Sequence, residues 1–135
     1  VEYATSAINL SAQLQRIRAT LGAHPPDRAT ITAEMNKLQE PLQAHMRAEV
    51  AMRIVGSEVG PSLERRDRAI TDLMVAPDSS LEVVRSHLDR QPGALTDDDE
   101  WRWVATAGLT AIEKFLKDTS IDEIAERARA DLGSG

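Results

Sequence analysis

At 135 residues, 41% hydrophobic and 28% charged, the chain has the composition of one globular domain and not of a disordered segment. A net charge of -6, with no cluster of Lys and Arg interleaved with aromatics, excludes a general nucleic-acid binder, and no run approaches the ~20 apolar residues that span a membrane. The absence of cysteine excludes disulfides, thiol catalysis and cysteine-ligated zinc.

Tyr3, Ala7, Leu10, Leu14, Ile17 and Leu21 recur in steps of four and three, which predicts an amphipathic first helix stopped at Gly22. His24-Pro25-Pro26 reads as a loop, and Asp27 is placed to cap a second helix from about Arg28 to Val55. Pro41 is expected to kink that helix, because it removes one backbone hydrogen bond. Gly56 to Pro61 read as a turn. A third helix then covers about Ser62 to Val75, stopped by Pro77.

Ser79-Ser80-Leu81-Glu82 has the form of a capping box and opens a short fourth helix, which Pro92-Gly93 ends. Thr96, followed by the acids Asp97 to Glu100, predicts a helix start where cap and dipole agree. This fifth helix, to about Lys117, carries Trp101, Val104, Ala105, Gly108, Leu109, Ile112, Phe115 and Leu116 on one face. Ser120-Ile121-Asp122-Glu123 is a second capping box, opening a final helix that ends near Gly133. No segment alternates with period two. The expected fold class is all-α: a single domain over residues 1–135, an up-down four-helix bundle with additional short helices.

The seam of the second helix, Ile31, Met35, Leu38 and Leu42, runs straight on into His45, Glu49 and Met52. In the third helix the same rhythm reads Leu63, Asp67, Ile70, Met74. Charges on a buried seam cost several kcal/mol unless paired, neutralised or bound to a metal. His45 and Glu49, four apart, share a helix face; they can ligate one metal ion, or His45 is protonated or hydrogen-bonded by Glu49 with both near the solvent end of the seam. Glu49 and Asp67 would form an acid–base pair if buried close together. His87, on the short fourth helix, reads as a surface residue or as a fourth inward polar group. Arg65, Arg66 and Arg68 read as a solvated helix face.

Trp101 and Trp103 point to nearly opposite sides of their helix, so one is expected in the core and the other over a groove or a partner surface. There is no nucleophile elbow, glycine-rich phosphate loop or H-E-x-x-H motif.

Three stretches resemble the hemerythrin-like (HHE cation-binding) family of di-iron four-helix bundles. Leu10 to Ile17 looks like that family's first-helix stretch, Leu42 to Glu49 like its second-helix ligand motif, and Leu63 to Ile70 like its third-helix stretch. The resemblance implies metal ligands at His45 and Glu49. It places the first-helix histidine on Leu14 and the third-helix histidine on Asp67. The last H-x-x-x-E motif falls either on His87 and Gln91 or on Trp103 and Ala107.

With most ligands replaced, the expected function is a non-catalytic binding or interaction module, without a cofactor. Leu14 and Trp103 would refill the emptied metal site, and a small-molecule pocket would lie near His45, Glu49 and Asp67. The alternatives are one iron, zinc or manganese ion on His45, Glu49, Asp67 and His87, or a helical sensor domain of a larger receptor. The start at Val1 instead of Met reads as a trimmed or processed chain. Thirteen arginines against three lysines hint at a GC-rich bacterial source. The expected setting is cytoplasmic, with an unidentified small-molecule or protein partner and no membrane insertion.

Overall fold

The computed structural model describes residues 2–55, 60–91 and 93–119. Of these, 82% are helical and none forms a strand, so the fold class is all-α. None of the described helices is long and apolar enough to cross a membrane. The expected final helix after Ser120 lies outside the described residues.

Helix α1 spans Glu2–Leu21 and buries the whole four-three seam from Tyr3 to Leu21. Asp27 caps α2 (Arg28–Asn36) as expected, accepting from the Ala29 amide at 3.1 Å and the Thr30 hydroxyl at 2.7 Å. The predicted single helix from Arg28 to Val55 is two. The chain turns at Lys37-Leu38, and α3 runs Gln39–Val55. Pro41 does not kink α3: it is the third residue of the helix, where a backbone N–H has no intrahelical partner to lose. The break keeps Ile31, Met35, Leu38 and Leu42 on the core side.

Helix α4 (Gly60–Ile70) ends in a π turn over Thr71–Val75, closed by the Ala76 amide on the Thr71 carbonyl at 3.0 Å. The wider turn places both Leu73 and Met74 inside. Ser79 caps α5 (Ser80–Arg90) by accepting from the Glu82 amide. The cap of α6 (Asp99–Asp118) is Asp98, not Thr96: its carboxylate accepts from the Trp101 amide at 2.9 Å. An acid at this position both bonds an orphan amide and faces the positive end of the helix dipole.

Helix α1 is central and packs on α2, α3 and α6, while α5 lies on α6 and the π turn. One apolar core draws side chains from every described helix. Gly108 marks a close approach in it, since a Cβ there would lie 3.1 Å from both Leu21 of α1 and Val84 of α5. A smaller cluster, Tyr3 and Leu63 with Ala48 and Met52 against them, sits at the start of α1. The polar site is built beside it.

Candidate functional site

Helix α3 presents His45, Glu49 and Arg53 at steps of four, so the three share one face. Helix α1 supplies Tyr3 and Ser6, and α4 supplies Arg66 and Asp67. His45 is 0% exposed, and both its ring nitrogens are engaged. Arg66 Nε donates to Nε2 at 3.0 Å, and Nδ1 lies 2.9 Å from Ser6 Oγ. A guanidinium only donates, so Nε2 is the acceptor and the proton resides on Nδ1. Nδ1 then donates to Ser6, whose hydroxyl donates on to the Tyr3 carbonyl at 2.9 Å. The Tyr3 ring stacks obliquely, its centroid 5.0 Å from the imidazole.

Electrostatics agree with this neutral imidazole. Burial, reinforced by the Arg66 charge, pushes His45 down to about 4. Arg66 is itself 3% exposed. Its Nη1 donates to the Thr119 carbonyl at 3.1 Å, its Cζ lies 5.7 Å from the Phe115 ring centre, and Nη2 has no hydrogen-bond partner among the described residues. Burial lowers its pKa as well. Burial also raises the Tyr3 phenol to about 12.

Beside this pair stands a carboxyl pair. Glu49 is 3% exposed; burial first, then hydrogen bonding with Asp67 and its charge, push its pKa up to about 8. Buried beside a second carboxyl, Glu49 keeps its proton at neutral pH. Arg53 Nη2 donates to Glu49 Oε1 at 3.3 Å and to Asp67 Oδ2 as well, bridging the two acids from the solvent side. The Asp67 side chain is 40% exposed and sits at the rim of the cluster.

Several placements differ from expectation. Arg66, read as part of a solvated face, is the buried cation at the centre of the site. The seam of α4 runs Leu63, Arg66, Ile70, Leu73, and Asp67 flanks it. Both rhythms step by three and four; the hydropathy of Asp and Arg gave no ground for preferring the true one. Ser6, Tyr3 and Arg53 were not picked out either, although Tyr3 belongs to the α1 seam and Arg53 continues the His45, Glu49 step of four.

His87 is buried, not on the surface. It lies far along the fold, its ring 5.9 Å from Trp101 and its Nδ1 3.8 Å from Glu100. Leu14 is fully buried in the main apolar core, eight residues or about 12 Å along α1 from Ser6. Trp101 is the core tryptophan, and Trp103 is 72% exposed and fills no interior space.

The arrangement limits the chemistry available. A serine beside a histidine serves as a nucleophile only if the imidazole accepts its proton, whereas here Nδ1 donates to Ser6. The donor set also does not suit a metal ion, because Arg66 holds the Nε2 lone pair and a serine faces the other nitrogen. Among the described residues no three His, Asp or Glu are grouped to hold one. An open cleft of about 760 Å³ between α1 and α3 reaches the cluster from outside. Ser6 lies in its wall, with Thr5, Asn9, Ala44 and Arg47 around it.

No protein-family model matches the chain, and neither a curated protein nor a solved structure matches it. The hemerythrin-like resemblance therefore stands on the three helical stretches alone.

Proposed function

We propose that the chain is a non-catalytic binding or interaction module on a hemerythrin-like bundle, in which the protein's own guanidinium takes the place of a metal ion. In this reading α1, α3, α4 continued by its π turn, and α6 are the four members of an up-down bundle, and α2 and α5 are the additional short helices. The packing of α1 on both α3 and α6 supports that arrangement. The observation that carries the functional reading is Arg66 Nε on His45 Nε2 at 3.0 Å, with the second ring nitrogen on Ser6. A cation that the chain supplies itself orders the imidazole without recruiting iron, zinc or manganese. The α1–α3 cleft, with the Ser6 hydroxyl in its wall, is the face through which the cluster meets a small molecule with a polar handle.

Metal analysis of protein purified without a histidine tag tests the reading, together with thermal unfolding in excess chelator. The expected result is no stoichiometric metal and an unchanged unfolding temperature. A chelator-induced drop, reversed by iron, zinc or manganese, would instead place a metal on His45, Glu49 and Asp67, because a ligand bound only to the folded state must stabilise it.

A further inference from the structure

Beside Phe115, α4, its π turn and the first residue of α5 face α6 across a second groove of about 350 Å³. Ala69 and Ala111 give it apolar walls, and the nearly buried Leu73 and Phe115 form its floor. Arg65, Arg68 and Lys114 line it as well, together with the acids Asp72 and Asp118. Among the described residues none of these three cations is in an ion pair; the ion pairs there engage Arg18, Lys37, Arg53, Arg85 and Arg102, besides histidine contacts. The groove thus carries a net charge of about +1 on a chain of net charge -6.

We infer that this groove is a binding site for a small amphipathic anion, an aliphatic or aryl carboxylate whose apolar body lies between Ala69 and Ala111 over the floor of Leu73 and Phe115 while its head meets Arg68, Arg65 and Lys114. Its size falls within the range of small-molecule sites, and an apolar lining with a few convergent charges is their usual make-up. Desolvating the apolar body supplies affinity, and the cations, in no ion pair among the described residues, select the sign of the head group. The site is separate from the α1–α3 cleft and does not depend on the fate of His45.

Calorimetric titration with decanoate, and with decyltrimethylammonium as a chain-matched cation, tests the assignment below their micelle concentrations. The expected result is saturable one-to-one binding of decanoate, at least about tenfold tighter than the cation, a difference of about 1.4 kcal/mol. Arg68→Gln with Lys114→Gln, both exposed and so compatible with folding, should weaken decanoate about tenfold at an unchanged unfolding temperature. Ala111→Trp, which fills the groove, should remove binding. Equal binding of both amphiphiles, decanoate binding indifferent to the double variant, or no saturable decanoate binding would each overturn the proposal.

Discussion

Glu49→Gln separates two opposed proton linkages in the buried cluster. In the folded chain Glu49 keeps its proton up to about pH 8, while an unfolded glutamate titrates near 4.5. The stability this contributes is fully present below 4.5 and is lost as pH rises through 8. His45 has the opposite sign. Its pKa falls from 6.5 to about 4 on folding, so its contribution is complete above 6.5 and is lost as pH falls through 4.

Each linkage has a slope of at most about 1.4 kcal/mol per pH unit. Between about pH 5 and 6.5 they cancel, because folding takes up a proton at Glu49 and releases one at His45. From about 6.5 to 8 the Glu49 linkage dominates. Allowing for partial titration, the native protein should lose about 1–2 kcal/mol over that interval. The glutamine cannot ionise, so the variant should gain about 1–2 kcal/mol from pH 5 to 6.5 and then level off. Urea unfolding of both proteins at about pH 5, 6.5 and 8, with m-values compared to confirm a common unfolded state, measures this directly. Parallel stability profiles for the two proteins would refute the buried, proton-holding carboxyl pair.

Leu14→Ala should destabilise by ~2–5 kcal/mol in denaturant unfolding, the range for emptying a closed leucine site; a loss below about half a kcal/mol would contradict its burial. Trp101→Ala should cost ~3–5 kcal/mol and Trp103→Ala less than about 0.5 kcal/mol, which thermal and urea melts of the two variants distinguish. Arg66→Met strands the His45 Nε2 and Thr119 carbonyl acceptors, each costing ~1–3 kcal/mol when left unpaired. Combining it with His45→Leu should recover much of that loss, and additive effects would show that the two residues do not interact. Asp67→Leu, at the half-exposed rim, should cost less than Arg66→Met in the same assay.

The fold class was legible because the helical seams are long and their caps carry distinct chemistry. The caps at Asp27 and Ser79 stand where the residues predict them. Boundaries followed less well. The turn at Lys37-Leu38 contains neither Gly nor Pro, and Pro41 is harmless in a first turn, so the break came before the residue that advertised it. Part of the site was also legible: His45 and Glu49 are polar residues on an apolar rhythm, but they are buried rather than at the solvent end, and Arg66 with Ser6, not Glu49, holds the imidazole. The rest turned on one residue of phase in α4. Leu63 and Ile70 belong to both available seams, and only the surroundings of Phe115, Thr119 and His45 make Arg66 the buried member. A sequence seam carries no such tertiary information. His87 escaped for a related reason, since its burial depends on the Trp101 ring from a different helix.

A guanidinium-held site requires His45 to be a neutral imidazole, protonated at Nδ1, with Nε2 accepting from Arg66. Nitrogen-15 NMR of the histidine side chains, recorded from about pH 5 to 8 with and without added zinc, reads that state directly. The predicted result is one His45 tautomer with a protonated Nδ1 and a hydrogen-bonded, unprotonated Nε2, unchanged across the range and unmoved by zinc. A His45 that titrates near 6.5, or whose Nε2 resonance shifts on addition of the metal, would contradict the guanidinium-held site.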